Sequence, residues 1–532
     1  MTNSIGDMKN TACFFSIGSN TSETHPVIGF EVKQAIKNGA HLIVANPVKI
    51  PLVRYADVFL QPTPGTDVML LSAMCKVIID EKLYDQDFIA GRTEGFDGLV
   101  ESLRDFDLEH AAAVTGVPLD KIKAAARLYA ASKPASILYA MGITQHSHGT
   151  DNVSAVANLA MLTGNIGKPG AGVNPLRGQN NVQGACDMGA LPDVFTAYQK
   201  VSNEASRAKF EAAWGVALPA KPGLTVPEII DSIDRGEIKA LYLVGENIVL
   251  SDPDINHVKE ALSKLELFVV QDIFRTETAE MAHVVLASSS FAEKDGTFTN
   301  TERRVQRVRR AVAPTGQSKP DWWITAELGK RLGGKGFDYS SSEQIFDEMR
   351  AVTPSYAGIS YRRLESSGLQ WPCPTEEHPG TAILHAERFS RGKGIFKPLR
   401  YRPPAELPDA EYPFILTTGR SPYHFHTGTM TRRVKGLNAL QSMETLEISS
   451  CDAARLGIAG GDQVMVTSRR GSVVAKVSTS ARLAPGVVFM TIHFPETATN
   501  ILTNTALDPV ARIPELKVAA VRLEKVGVEA PA

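Results

Sequence analysis

"ACFFSIGSNTSETHPVIGFEVKQAIKNGAHLIVANP", residues 12–47, reads as one strand-helix-strand unit. An apolar run ends at the polar turn Gly18-Ser19-Asn20, and a second apolar run, "HLIVA", ends at Asn46-Pro47. Between them Val27, Ile28, Val32, Ala35 and Ile36 fall on one helical face, and Gly39 stands where a helix would be capped. "YADVFLQPTPGTD", residues 55–67, adds a strand and a loop ahead of the helical "VMLLSAMCKVIIDEKL". Strands alternating with helices specify an α/β fold, with a parallel sheet covered by helices on both faces.

The order recurs downstream. "IKALYLVGENIVLSDPD", the helical "HVKEALSKLE", "LFVVQDIF" and "MAHVVLASSSFAEKDGTFTN" set Gly245-Glu246-Asn247 against Gly18-Ser19-Asn20. Two related, pseudo-symmetric α/β dinucleotide-binding units are expected. From residue 386 to 411 the chain is rich in Pro and Arg, as in a linker. After it, "FILTTGR", "QVMVTSRRGSVVAKVSTSARLAPGVVFMTIHF" and "KVAAVRLEKV" alternate between Gly and Pro turns, the pattern of a closed β-barrel. The expected domains are residues 1–178, 179–385 and 412–532, with 386–411 as the linker.

A chain of 532 residues, 43% hydrophobic, has enough apolar surface for several cores. Its 56 Lys and Arg nearly balance 58 Asp and Glu, so no global field attracts nucleic acid or an anionic membrane, and no apolar run is long enough to span a bilayer. The five cysteines are scattered without a CxxC pair, which argues against a disulfide framework, a zinc site or a cysteine-bound cluster in these residues. A reducing, cytoplasmic setting is the simplest expectation.

Ligands of open α/β sheets bind beyond the carboxyl ends of the strands, where the three polar turns lie. Glycine amides and helix N-termini suit a pyrophosphate, and Glu23, Asp67, Glu246 or Asp272 suit a guanine edge or ribose hydroxyls. Each turn alone is more often only a turn, since neither GxGxxG nor a P-loop occurs; their repetition favours a dinucleotide. His424 and His426 alternate on an extended stretch, as do His146 and His148, but no third ligand stands near either pair, so hydrogen bonding is expected and no metal. In "RGQNNVQGACDMG", residues 177–189, four side-chain amides follow Arg177, whose planar fork suits a small carboxylate.

"MGITQHSHGTDNV", "LTGNIGKPGAGVNPLRGQNNVQGACDMGALPD", "SFAEKDGTFTNTERRVQ" and "LTTGRSPYHFHTGTMTRR" together resemble the catalytic subunit of molybdenum- or tungsten-dependent formate dehydrogenases, in the bis-molybdopterin guanine dinucleotide (dimethyl sulfoxide reductase) family. The resemblance implies two α/β domains, each holding one pterin guanine dinucleotide, under a C-terminal double-psi barrel. It assigns Gly18, Asn20, Glu23, His25, Asn46, Thr66 and Asp67 to one cofactor, and Gly245, Glu246, Asn247, Gln271, Asp272 and Asp295 to the other. It places Gly142, Thr144, Gln145 and Gln179 near the pterins, and Thr418, Gly419, Arg420, His424, His426, Asn500 and Lys517 in the barrel that closes over them. Arg177 would be the catalytic residue that holds formate. Asn46 and Lys49, Ile248 and Ala287 depart from the family pattern.

The resemblance also implies an upstream [4Fe–4S] segment and a cysteine or selenocysteine metal ligand, neither of which lies in these residues. Because Met1 falls inside the resemblance, the chain is expected to be the downstream part of a longer protein, begun after a selenocysteine codon and inactive alone. Implied partners are formate and carbon dioxide, with iron–sulfur, NAD-reducing or hydrogenase subunits taking the electrons. The rival readings are a catalytically silent, cofactor-carrying subunit and a related nitrate reductase.

Overall fold

A computed structural model describes residues 1–526. They divide into two compact units, one made of residues 1–178, 250–256 and 383 onward, the other of 179–249 and 257–382.

The first unit holds a five-stranded parallel sheet in the order Val58–Leu60, His41–Ala45, Cys13–Ile17, Ala135–Tyr139, Gly172–Pro175. Every residue of Cys13–Ile17 and Ala135–Tyr139 is buried, and apart from Ser16 and Ser136 these strands are apolar or aromatic. Phe15 and Ile17 pack with Leu70, Leu71 and Met74 of helix Asp67–Asp80, while Phe14 packs with Ile28 and Val32 of helix Pro26–Lys37. Val27, expected on the buried face of that helix, is 66% exposed. The buried stripe is Ile28, Val32 and Ala35, spaced i, i+4, i+7; Val27 lies one residue, about 100°, off its edge. Gly39 ends the helix at φ +100°, its N–H bonding the Ile36 carbonyl.

The same unit contains a closed barrel of six strands: Phe414–Gly419, Val487–Thr491, Thr445–Ser449, Ser472–Ser480, Gln463–Thr467 and Ala519–Lys525, the last pairing back onto the first. Alternate residues such as Leu446, Ile448, Val464, Val466, Val488 and Met490 fill its interior. Two carboxylates after residue 500 join the barrel to the α/β layer. Asp508 accepts from Thr150 N and Oγ1 at 2.9 and 2.7 Å, and Glu515 accepts from Ser147 N and Oγ at 3.1 and 3.0 Å. These donors lie at the start of helix Gly149–Leu162, so the barrel supplies that helix with its N-terminal acceptors.

The second unit carries a three-stranded parallel sheet, Ala240–Val244, Leu267–Asp272 and Val284–Ala287, in that order. Helices were expected on both faces, but much of this sheet is exposed. Leu243, Phe268 and Val270 are buried on one side, but Val285 on that same side is 45% exposed; on the other, Tyr242, Val244, Leu267 and Val284 are 38–47% exposed beside a buried Gln271. Among the described residues no helix is long and apolar enough to cross a membrane.

Candidate functional site

In the first sheet, Cys13–Ile17 and Ala135–Tyr139 are the adjacent strands from which the chain order runs in opposite directions, the switch point where open α/β sheets take ligands. Gly18 follows one and Gly142 lies just beyond the other. Their backbones touch: Gly142 N donates to Gly18 O at 3.1 Å, and a Cβ on Gly18 would lie 2.8 Å from Gly142 C. A Cβ on Gly142 would in turn lie 2.5 Å from Gly18 O, so each position requires glycine.

Around this crevice several assigned side chains stand with unanswered atoms. Asn20 Nδ2 donates to Glu23 Oε2 at 2.6 Å, but Asn20 Oδ1 is buried with no partner among the described residues. Gln145 Oε1 is in the same condition; away from this crevice, where Asn500 Nδ2 bonds the Leu250 and Ser251 carbonyls at 2.9 Å, so is Asn500 Oδ1. Buried acceptors cost free energy unless a donor meets them. Asp67, the first residue of its helix, is buried, and desolvation pushes its carboxyl up to about 7. Its Oδ2 lies 3.8 Å from His146 Nε2, which donates to Gly142 O at 2.9 Å. Thr66 Oγ1 bonds the Thr63 carbonyl, Asn46 Oδ1 accepts from Val48 N, and Thr144 Oγ1 reaches Met141 Sδ at 3.4 Å. These three serve their own loops.

The barrel brings a cationic centre together. Lys517 Nζ is buried and donates to Thr418 O at 2.9 Å, and Arg420 Nη1 donates to Gly419 O at 3.0 Å. Neither forms an ion pair with any described residue. Desolvation, with Arg420 adding repulsion, lowers Lys517 to about 7; desolvation alone lowers Arg420 to about 10. His426 is held down to about 4 by burial and by Arg420. His424 Nε2 donates to the Gln441 carbonyl at 2.7 Å. A buried Lys517 beside a half-buried Arg420, with no described carboxylate paired to either, calls for an anion. His493 and Glu515, which sequence reasoning passed over, are both wholly buried here. The one signal for either was its place at the end of a barrel strand or in the segment that enters one.

Arg177 is exposed, and its carbonyl accepts from His25 Nε2 at 2.7 Å. Gln179 and Asn180 are exposed as well, at the start of the second unit. The remaining amides of that stretch are engaged within this unit. Asn181 Oδ1 accepts from Thr299 N at 2.9 Å, and Gln183 Nε2 donates to Asp187 Oδ1 and Tyr198 Oη at 2.8 and 2.9 Å. Asp187, unforeseen in the sequence, is buried and also accepts from Tyr356 Oη at 2.5 Å and Trp371 Nε1 at 2.7 Å.

In the second sheet most of the assigned polar groups bond other residues of the protein. Asn247 donates to Glu277 and accepts from Thr278; Gln271 accepts from Tyr242 Oη and donates to Asp321 at 2.8 Å. Asp272 Oδ1 accepts from Ile273 N, and Asp295 from Arg310 N. Gly245 has φ +66° and nothing within 4 Å of its absent Cβ, so open space lies above it. Glu246 is half-buried beside it. Among the described residues no group of three or more His, Cys, Asp or Glu is placed to hold a metal.

The molybdopterin oxidoreductase profile matches residues 1–331, and the molydopterin dinucleotide binding domain matches residues 414–520. The chain belongs to the molybdopterin oxidoreductase family. It is 52% identical over 529 residues to the F420-dependent formate dehydrogenase subunit alpha of Methanocaldococcus jannaschii, covering 99% of this chain and 78% of that protein. It is 40% identical to formate dehydrogenase H of Escherichia coli, covering 99% of this chain and 74% of the other. Its fold matches acetylene hydratase from Pelobacter acetylenicus with a TM-score of 0.77 at 20% identity, over 98% of this chain and 79% of that one. The family's molybdopterin cofactor fits the first unit: an anionic dinucleotide would answer Lys517 and Arg420, and pterin or guanine N–H groups would answer the buried oxygens of Asn20, Gln145 and Asn500.

Proposed function

We propose that this molybdopterin oxidoreductase interconverts formate and carbon dioxide. The observation that carries the reading is the 52% identity, along 99% of the chain, to a protein named as a formate dehydrogenase alpha subunit. The cofactor is read as bis-molybdopterin guanine dinucleotide with Mo or W, which supplies a two-electron acceptor at the substrate C–H bond. Formate then yields carbon dioxide, a proton and two electrons. Arg177 orients the carboxylate through its two parallel N–H groups; Gly18 and Gly142 keep the crevice floor free of side chains; Lys517 and Arg420 neutralise the dinucleotide. The second cradle, with Gly245 and Gln271, is assigned to the second dinucleotide. An iron–sulfur path to an electron-transfer subunit completes the reaction, and identities of 52% and 48% to F420-dependent relatives against 40% to formate dehydrogenase H favour an F420-linked acceptor.

The test is metal analysis of the protein purified with its native partners, together with formate-driven reduction of a viologen dye. Bound Mo or W with formate turnover supports the reading; a metal-free protein, or one reducing nitrate and inert to formate, overturns it. Arg177→Lys keeps the charge and loses the fork, so formate turnover should fall at least about tenfold with metal content unchanged.

A further inference from the structure

His493 lies just past strand Val487–Thr491 and is 0% exposed. Its Nε2 accepts from Ser421 N at 2.9 Å, and its Nδ1 faces the carbonyl of His426. An amide can only donate and a carbonyl can only accept, so one neutral tautomer, with the proton on Nδ1, satisfies both contacts. Protonating Nε2 would set an N–H against an N–H. Desolvation and the nearby Arg420, His424 and His426 hold this imidazole down to about 3, despite the His426 carbonyl.

The ring thus ties the two ends of one loop. At the near end Ser421 follows Arg420; at the far end His426 takes φ +50°, a left-handed conformation unusual outside glycine. The backbone of His493 shapes the same loop, because a Cβ on Gly428 would lie 2.4 Å from the His493 carbonyl oxygen. Further bonds fix the middle: Phe425 N donates to Thr431 Oγ1 at 3.1 Å, and His424 bonds the Gln441 carbonyl at 2.7 Å. None of them joins the two ends as His493 does.

We propose that His493 is a positioning residue of the cationic centre: as its Nδ1–H tautomer it folds residues 420–428 into the shape that presents Arg420 and His426 to an anionic ligand. The identity of that ligand, a guanine dinucleotide, rests on the proposed function; the fold of the loop does not.

The test uses the full chain with its partners. In ¹⁵N spectra of histidine-labelled protein, one imidazole should hold the Nδ1–H tautomer without titrating from about pH 5 to about pH 8, and its signal should vanish in His493→Phe. His493→Phe leaves Ser421 N–H and the His426 carbonyl unpaired. GMP released by acid hydrolysis should then fall about tenfold, with His493→Asn, which keeps the donor to His426, falling less. Arg420→Met should cause a similar loss, and the double variant a loss smaller than the product of the two, because the ring acts in part through Arg420. A titrating or Nε2–H ring at the signal lost in His493→Phe, full GMP content in that variant, or losses that multiply in the double variant would each overturn the proposal. If wild-type protein releases no GMP, the cofactor reading fails and the tautomer spectrum decides the loop by itself; His493→Asn does so if His493→Phe does not fold.

Discussion

The two parallel sheets were built from similar phrases and ended differently. "CFFSI" is buried on both faces and leads into a loop whose glycine touches a second glycine across a switch point. "ALYLV" is buried on one face, and its sheet keeps chain order, so it contains no such switch. Beside the first crevice Asn20 Oδ1 and Gln145 Oε1 have no partner among the described residues, whereas in the second Asn247, Gln271 and Asp272 have protein partners, although the buried Ser288 and Ser289 hydroxyls do not. A repeated strand-turn motif therefore fixes where a ligand could lie, while strand order and the bonding of the turn's neighbours decide how far the place is prepared for one.

The sharpest way to break this contrast is to add the same methyl group to both turns. Gly18→Ala forces a Cβ to 2.8 Å from backbone as well as straining φ, and should destabilise the cofactor-free chain by about 3 kcal/mol in chemical denaturation. If it melts like wild type, the Gly18–Gly142 contact is not fixed.

Lys517 gives the next effect. Its pKa falls from the ordinary lysine value to about 7 on folding, so the unfolded chain binds the extra proton between those values and stability should rise with pH from about 7 to about 10. A gain of a few kcal/mol is expected without cofactor. The slope should flatten once an anion holds the ammonium charged, and Lys517→Met should abolish it. Denaturant midpoints across that range check both.

Gly245→Ala meets no atom and suffers only its positive φ, so a smaller loss of about 1 kcal/mol is expected in the same denaturation. A loss equal to that of Gly18→Ala would mean that the two turns are equally constrained. Smallest is Val284→Thr on the open face of the second sheet: stability should stay within about 0.5 kcal/mol while binding of a hydrophobic dye decreases. A large loss there would show the face to be buried.

The strands, the barrel and the β-α-β order were legible because periodicity and turn residues record local burial. Cys13–Ile17, His41–Ala45 and Phe414–Gly419 lie where their apolar runs lie. Val27 was not legible, since one residue at the edge of a stripe differs in direction and not in polarity. The open face of Val284–Ala287 was hidden for a related reason: an apolar run states that a strand prefers burial, not how many of its faces this chain covers. In the site, Gly18 was reached from the strand-turn pattern and Lys517 by resemblance, but the partnering of Gly18 with Gly142 and the bracing by His493 are long-range contacts that leave no periodic trace. Asp187 likewise looks like a loop acid until Tyr356 and Trp371 close over it.

The acceptors that Asp508 and Glu515 offer to helix Gly149–Leu162 come from 358 and 368 residues further along the chain. At about 5 to 20 residues per second, a ribosome needs roughly 20 to 70 s to traverse that interval. During that time the helix end has emerged with its amides answered only by water. The α/β layer can collapse early around its sheet, but this helix end gains its protein acceptors only after residues 508 and 515 have been made.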